Sequence, residues 1–237
     1  MKILAIDSSA VTAGCAVMED DRILAESFVH TGLTHSETLL PMIARTLSGA
    51  GLTPADIDCC AVSSGPGSFT GIRIGVAVVK GIAFPANLPC IGVSTPEAIA
   101  WGCLGTDGTI CAVMDARRHQ VYNALFTFDN GQLVRLCEDR AIAIGDLTEE
   151  LRGSDAPVTL AGDGAQLCYD SMRHALPDIR LAPPHLRYQR GFGVGMAARR
   201  MAAEGAATDP EALVPTYLRP SQAERTLKSK NKGETSS

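Results

Sequence analysis

The order of predicted secondary-structure elements occurs twice along the chain, and this repeat constrains the fold more than any other feature of the sequence. The first series has strands over 2–7, 13–18 and 22–28, a helix over 35–50, a strand over 59–63, a helix over 69–84 and a strand over 89–93. The second has strands over 110–114, 121–128 and 132–137, a helix over 145–152, a strand over 158–161, a helix to about 175, a strand over 179–182 and a closing helix over 189–204. Such self-similarity indicates an internal duplication.

Landmark residues support the duplication because they occur in the same order in both series. Asp7 and Asp115 each end the first strand of a series, and Gly65-Pro66-Gly67 and Gly162-Asp163-Gly164 each open a helix after a buried strand. Strands with helices between them imply mixed sheets covered on both faces. We therefore predict an α/β protein of two tandem RNase H-like βββαβα units, the layout of the actin, Hsp70 and sugar-kinase (ASKHA) folds. The predicted halves are residues 1–103 and 104–218.

Charge is unevenly distributed along the chain. The net charge is −5, but residues 219–237 carry a local balance of +3, which leaves −8 on the rest. An acidic body repels phosphate, so the chain is not expected to bind nucleic acid unaided. Aromatic residues make up only 5%, which disfavours a protein that reads single-stranded bases by stacking. Residues 219–237 are predicted to be a basic tail that is disordered at least at its end.

The cysteines and the N-terminus both indicate a cytoplasmic protein. The chain has eight cysteines and no C-x-x-C, and most lie within apolar runs, as core residues do in a reducing compartment. The first apolar stretch ends at Asp7, which is too short for a signal peptide. No uncharged apolar stretch of membrane-spanning length occurs, so no membrane span is predicted. Because the cysteines form no C-x-x-C, no zinc site is predicted either.

Two segments have the residue types of a phosphate site. In ATPases of this fold, a carboxylate at the end of the first strand holds Mg²⁺ or orients water, and hydroxyls and amides after it bind phosphate. Alternatively, the carboxylate only caps a turn, and the glycine-rich segment is only a tight strand-to-helix turn with a serine N-cap. The residues considered for a nucleotide or phosphate site are Asp7, Ser8, Ser9, Gly65, Gly67 and Ser68. Gly71 is followed by Ile72-Arg73, so the lysine of a Walker loop is missing.

The helix over 69–84 is apolar on nearly every side, which requires burial against more than one neighbour. One side can pack on the sheet, and another can pack against a partner protein together with the helix over 35–50. The alternative is a fully internal helix. We favour the interface, because a half of this size leaves outward helix faces uncovered. The residues assigned to the partner surface are His35, Leu39, Leu40, Ile43, Leu47, Phe69, Ile72, Arg73, Val76, Val79 and Lys80.

Histidines give little support to a metal-dependent hydrolase. His30 and His35 are five residues apart and would not share a helix face, and neither H-x-x-x-H nor H-E-x-x-H occurs.

Several segments in collinear order resemble the TsaB (YeaZ) family, which is similar to the catalytic protein TsaD. They are Ile3–Ser9, His35–Pro41, Gly65–Gly75, Gly92–Thr95, Asp115–Arg117, Val121-Tyr122, Gly162–Gly164 and Pro215–Arg219. TsaD-like proteins transfer a threonylcarbamoyl group to adenosine 37 of ANN-decoding tRNAs and carry a metal-binding H-x-x-x-H after the strand that here covers 90–93. This chain has Ser94-Thr95-Pro96-Glu97-Ala98 there, so the catalytic role does not carry over.

The resemblance implies a non-catalytic subunit that forms a heterodimer with TsaD through the two N-terminal helices. The ATPase TsaE joins the complex, and tRNA is reached indirectly through it. No resident cofactor is implied, although ATP or ADP at the joint with the partners stays open, as does a homodimer of the isolated chain. The competing hypothesis is a stand-alone enzyme of the same fold, either an ATPase or a glycoprotease-like peptidase.

Overall fold

The computed structural model describes residues 1–219. The first series of elements is β1 (Lys2–Asp7), β2 (Ala13–Glu19), β3 (Arg22–Val29), α1 (His35–Gly49), β4 (Cys59–Gly65), α2 (Phe69–Ala83), β5 (Cys90–Ser94) and α3 (Thr95–Trp101). The second is β6 (Thr109–Asp115), β7 (Gln120–Asp129), β8 (Gln132–Arg135), β9 (Arg140–Ala143), α4 (Ile144–Leu151), β10 (Val158–Ala161), α5 (Ala165–Met172), β11 (Arg180–Leu181), α6 (Pro184–Arg187) and α7 (Gly191–Ala203).

The two sheets have the same topology, which confirms the predicted duplication. The first sheet has the order β3-β2-β1-β4-β5, and the second has the order β8-β7-β6-β10-β11, with β9 also paired to β7. In each sheet the first strand of the series lies in the middle. That strand runs antiparallel to the strand after it and parallel to the strand that follows the first helix. Asp7 and Asp115 therefore occupy equivalent positions at the carboxyl ends of the central strands.

The sheets and helices form alternating layers with apolar cores between them. Helices α1 and α2 cover the outer face of the first sheet, and α4 and α5 cover the outer face of the second. Helices α3 and α7 pack on the inner face of the first sheet, and α3 also packs on the second. Seven of the eight cysteines are buried and Cys137 is half-buried, as expected for core residues.

Helix α3 was not anticipated from the sequence, although its start signal is present. Ser94 is the N-cap and its hydroxyl accepts a hydrogen bond from the Glu97 amide (3.3 Å), with Pro96 in the first turn. Every residue of the helix is buried. A helix buried on all sides has no polar face, so it lacks the periodicity by which helices are found in sequences.

The chain beyond Gly191 returns to the first sheet. Helix α7 begins against β2, where Gly14 and Gly191 leave no room for a Cβ atom. The segment 208–219, hereafter the C-terminal strap, then crosses the first half. Its backbone bridges Cys90 at Thr208, and the Thr216 amide donates to the Ser64 carbonyl (2.7 Å). The predicted division at residues 103 and 104 thus falls between α3 and β6, but residues 191–219 pack with the first half. The tail from residue 220 onwards lies outside the described residues.

One stretch of residues 1–219, Phe69–Ala86, is long and apolar enough to meet the composition of a membrane span. It consists of α2 and the 3-10 turn that follows. The side chains of Ile72, Val79 and Ala83 are fully buried against the first sheet. Packing on the first sheet therefore accounts for part of its hydrophobic character.

Candidate functional site

A cleft of about 560 Å³ opens between the two halves of the chain. The loops after β1 and β4 form one wall, the loops after β6 and β10 form the other, and the C-terminal strap borders it. Loops at the carboxyl ends of parallel strands are the usual place for ligands in α/β proteins. Residues that bind a phosphate are therefore expected to line this cleft.

Asp7 does not line the cleft and is fully buried. Its Oδ1 accepts hydrogen bonds from the amide (3.0 Å) and the hydroxyl (2.9 Å) of Ser9, and its Oδ2 accepts one from the Ser63 hydroxyl. Burial raises the pKa of this carboxyl, and the hydrogen bonds from the two serines oppose that effect. Oδ1 thus caps the turn after β1, which is the structural alternative considered from the sequence, and Oδ2 is bonded to the neighbouring strand β4.

The glycine-rich loop before α2 uses its own amides to pack against the turn after β1. The Ser68 amide donates to the Ser9 carbonyl (2.7 Å), and the Ser68 hydroxyl accepts from the Gly71 amide (3.3 Å) as the N-cap. The Ser8 hydroxyl is buried and donates to the Gly71 carbonyl (2.9 Å). Of the six candidate residues, Ser9, Gly67 and Ser68 line the cleft, whereas Asp7, Ser8 and Gly65 do not. The Ser68 and Gly71 amides are therefore not directed at a ligand.

The second half presents two carboxylates to the cleft, Asp115 and Asp163. Asp115 caps its own turn by accepting from the Arg117 amide (2.7 Å). Asp163 accepts from Nε2 of the buried Gln189 (2.8 Å). Burial raises the pKa of Asp163 to about 6, and the hydrogen bond from Gln189 opposes the shift. The repeated glycine tripeptide was the sequence signal for Asp163, whereas nothing in the sequence pointed to Gln189.

The rim of the cleft carries aromatic and cationic side chains that the sequence analysis did not assign to a site. The Arg219 guanidinium lies 5.9 Å from the centre of the Tyr122 ring. Tyr188 packs edge-on against His30 with 4.7 Å between ring centres. Arg117 lies beside Asp115, with 3.5 Å between its guanidinium nitrogen and the carboxylate. These residues come from distant parts of the chain, so their proximity is a property of the fold.

Most of the residues assigned to a partner surface lie elsewhere than predicted. Six are buried in the core between the first sheet and its two outer helices: Leu39, Ile43, Leu47, Ile72, Val76 and Val79. The prediction that these six face a partner is wrong, because each lies on the helix side that faces the sheet. For them the internal alternative is correct.

The C-terminal strap covers a further part of α2. The Phe69 ring stacks on Tyr217 with 4.8 Å between ring centres, and Arg73 Nε donates to the Tyr217 hydroxyl (2.9 Å). Lys80 Nζ donates to the Glu211 carbonyl (3.0 Å). The three α2 residues therefore contact this chain's own strap.

Two residues of the set remain at the surface of α1. His35 is half-buried in the first turn, with Nε2 2.7 Å from the Ala10 carbonyl oxygen. Leu40 is 54% exposed. It belongs to an apolar outer helix face on the two neighbouring helices and the turn after α2. We define this outer helix face as Leu40, Pro41, Ala44, Ala77, Gly81 and Phe84, all exposed.

The segment 94–98 at the start of α3 belongs to an ion-pair network. Glu97 pairs with Arg135 (3.2 Å) and with Arg200 (2.8 Å), and Arg135 also pairs with Asp139 (2.6 Å). The Ser94 hydroxyl donates to the same Asp139 (2.6 Å). Among residues 1–219, no group of three or more His, Cys, Asp or Glu side chains is arranged to hold a metal ion.

The family model and the relatives that this chain resembles are named for the formation of threonylcarbamoyladenosine in tRNA. Residues 30–226 match the family model described as "TsaD: tRNA N6-adenosine threonylcarbamoyltransferase". The chain is 33% identical to the tRNA threonylcarbamoyladenosine biosynthesis protein TsaB of Bacillus subtilis, and the match covers 94% of this chain and 96% of that protein. It is 30% identical to the protein of the same name from Escherichia coli, over 97% and 100% of the two chains.

Solved structures with the same fold include YeaZ from Pseudomonas aeruginosa. It superposes with a TM-score of 0.73 at 24% identity, over 92% of this chain and 99% of that one. The activator of the 2-hydroxyisocaproyl-CoA dehydratase from Clostridium difficile, solved with bound ADPNP, superposes with a TM-score of 0.50 at 10% identity, over 86% and 97% of the chains. At these identities the likeness concerns the fold alone, and it agrees with the predicted ASKHA class.

Proposed function

Because this chain belongs to the TsaB family of tRNA threonylcarbamoyladenosine biosynthesis proteins, we propose that it is the non-catalytic subunit of a modifying complex. In this proposal it binds and activates a TsaD protein, which forms N6-threonylcarbamoyladenosine at position 37 of ANN-decoding tRNAs, with the ATPase TsaE as a further partner. The complex acts in the cytoplasm. The single observation that carries the proposal is the apolar outer helix face, because an exposed surface of this kind on a folded α/β body favours a protein partner.

The arrangement of the cleft supports a non-catalytic role. Asp7 is held by Ser9 and Ser63, and the Ser68 amide of the glycine-rich loop donates to the Ser9 carbonyl. At the place where TsaD-like proteins carry two histidines, Glu97 is committed to Arg135 and Arg200. These three groups are bonded to the protein itself.

The outer helix face supports a helical partner. Leu40, Ala77 and Gly81 leave an apolar surface with small side chains, against which two helices of a partner can approach closely. Phe84 is 64% exposed at its end. Large exposed aromatic residues are typical anchors of protein interfaces.

The docking surface is tested by Leu40→Arg. Because Leu40 is exposed in the free chain, the variant is expected to fold, but the new charge loses its solvation when the partner binds. We expect binding to TsaD to weaken by about 2–4 kcal/mol. The measurement is calorimetric titration with the TsaD of the same organism, followed by reconstituted threonylcarbamoylation with TsaE and tRNA.

Leu167→Arg is the matched control, since Leu167 is a half-exposed leucine on α5 in the second half. Circular dichroism of both variants establishes that they are folded. A folded Leu40→Arg variant that binds TsaD and supports modification as the wild type does would show the interface assignment to be wrong.

The competing proposal is a stand-alone ATPase or glycoprotease-like peptidase of the same fold. Asp115 and Asp163 lie in the cleft, where the active site of such an enzyme would be expected. Both carboxylates already accept hydrogen bonds from the protein, however, which weakens the case for an enzyme. ATP turnover or peptide cleavage by the purified chain, lost in an Asp163→Asn variant, would decide for that alternative.

A further inference from the structure

The loop between β6 and β7 holds three successive residues in the left-handed backbone region. Their φ angles are +65° at Arg117, +56° at Arg118 and +54° at His119. For residues with a Cβ this region is unfavourable, and among residues other than glycine it is enriched in Asn, Asp and His. All three side chains are exposed, so burial of apolar surface does not explain the conformation. Backbone strain of this kind concentrates at functional sites.

Hydrogen bonds fix the loop in this conformation. The Arg117 amide donates to Asp115 Oδ1 (2.7 Å), the Gln120 amide donates to the Arg117 carbonyl (3.2 Å), and the Ile144 amide donates to the His119 carbonyl (3.1 Å). The loop is thus anchored at both ends to the second sheet and to the start of α4. Its two arginines are presented from a defined position, and the side chain of Arg117 is 86% exposed.

A second arginine reaches the cleft from the far end of the described chain. Arg219 lines the cleft together with Arg117, and its guanidinium lies against the Tyr122 ring. The strap brings it there through the bonds of Thr216 and Tyr217 to the first half. Two cationic side chains from distant parts of the chain therefore line one cleft of a protein whose net charge is −5.

The interior of the cleft differs from its rim in charge. Asp115 and Asp163 are half-buried among the residues that line it, and the Ser68 amide of the glycine-rich loop already donates to the Ser9 carbonyl. A compact polyphosphate placed there would face two carboxylates. An extended polyanion that passes along the rim would meet the arginines and leave the carboxylates at a distance. The arrangement favours the backbone of a nucleic acid over a bound nucleotide.

We propose that the loop Arg117–His119 and Arg219 form a contact site for the phosphodiester backbone of RNA. The inference rests on the proposed function, in which the RNA is the tRNA that the complex modifies. The contact is with phosphates and not with bases, so it positions the RNA without reading its sequence. The acidic remainder of the chain keeps this contact weak in isolation, and the partner supplies most of the affinity.

The test is the salt dependence of tRNA binding by the full chain assembled with TsaD. Arg117→Gln combined with Arg118→Gln removes two phosphate contacts. We expect the slope of log K against log salt concentration to become shallower by about 1 for each arginine, with the affinity falling roughly tenfold at low salt. Arg173→Gln combined with Arg180→Gln is the matched control, because both arginines are exposed on the second half away from the cleft. The control is expected to leave slope and affinity unchanged.

Single substitutions at Arg118 separate charge from backbone conformation. Arg118→Gly relieves the left-handed strain and removes the charge, so it is expected to raise Tm while it weakens tRNA binding. Arg118→Lys keeps the charge and is expected to retain the binding. If the loop has only a structural role, tRNA binding is expected to be the same in the wild type, Arg118→Gly and Arg118→Lys.

Failure of this inference is distinguishable from failure of the proposed function. The inference is overturned if the loop double variant binds tRNA with the wild-type slope, or if it loses binding of ATP and keeps binding of tRNA. If the chain does not assemble with TsaD, the proposed function fails. The loop variants are then titrated with tRNA as isolated chains at low salt, where an unchanged affinity again overturns the RNA contact.

Discussion

At the scale of single residues, the hydrogen-bond partners decide what a carboxylate does. Asp7 has the position of the carboxylate that holds Mg²⁺ or orients water in ATPases of this fold, yet its oxygens accept bonds from Ser9 and Ser63 in a fully buried site. Its equivalent in the second half, Asp115, is half-exposed and caps a strained loop. Equivalent positions in a duplicated fold thus have different environments.

Substitutions of Asp7 distinguish a structural from a catalytic carboxylate. Asp7→Asn keeps an acceptor for the Ser9 amide, and the serine hydroxyls can rotate to accept from the new amide group. We therefore expect it to fold and to support modification in the reconstituted complex. Asp7→Ala leaves buried donors without acceptors and is expected to lower the free energy of unfolding by roughly 2–4 kcal/mol. Urea denaturation measures both. A stable Asp7→Asn protein without modification activity would instead indicate that the charge is required.

At the scale of elements, the sides of α2 have three different environments: the first sheet, the C-terminal strap and the surface proposed for a partner. Its inner side packs on the first sheet, and its Phe69, Arg73 and Lys80 contact the C-terminal strap. The exposed strip of the helix consists of Thr70, Arg73, Ala77 and Gly81. Its apolar composition therefore reflects the sheet and the strap as well as any partner.

Two truncations distinguish the contribution of the strap to stability from that of the basic tail. Ending the chain after Gly205 removes the strap and with it the buried Leu213, which packs in the core under α2. We expect the free energy of unfolding to fall by at least about 2 kcal/mol. Ending the chain after Arg219 keeps the strap and is expected to leave the thermal midpoint unchanged. A comparable loss of stability in both proteins would mean that the tail packs on the body.

At the scale of the whole molecule, the ion pairs of Glu97 join parts that are distant in sequence. Glu97 on α3 links Arg135, from the second sheet, to Arg200 on α7, which packs on the first. Its side chain is only 11% exposed. A second pair, Arg190 and Glu26 (2.8 Å), ties the start of α7 to β3 of the same sheet. The Glu97 pairs therefore join the two halves in addition to the core around α3.

Removing Glu97 tests the first of these links. Glu97→Ala leaves the partly buried Arg135 and Arg200 without this counter-charge, so we expect a loss of about 2–4 kcal/mol in the free energy of unfolding. Glu149→Ala is the control, because Glu149 pairs with Arg152 at the surface (2.8 Å) with 65% of its side chain exposed. Exposed pairs contribute less than about 1 kcal/mol. Equal losses in chemical denaturation would show that the Glu97 network does not stabilise the joint between the halves.

The sequence by itself determined the elements and their duplication. Strands such as β1 and β4 and helices such as α1 and α2 lie within a residue or two of their predicted bounds, because hydrophobic periodicity, turns and N-caps are local signals. The sequence also predicted the duplication, since Asp7 and Asp115 and the two glycine tripeptides occur in the same order in both series. The family followed from the same segments, and the matches to TsaB proteins confirm it.

Only the tertiary structure decided which faces are buried and which residues meet. Periodicity places Leu39, Val76 and Leu40 on helices, but whether each faces the sheet, the strap or solvent depends on how the helices are rotated in the fold. Helix α3 escaped detection because burial on all sides removes the pattern. Arg117 and Arg219, or Glu97 and Arg200, come together through contacts between residues about a hundred positions apart. Contacts of this kind have no local signature, because they arise only when the two sheets pack around α3 and α7.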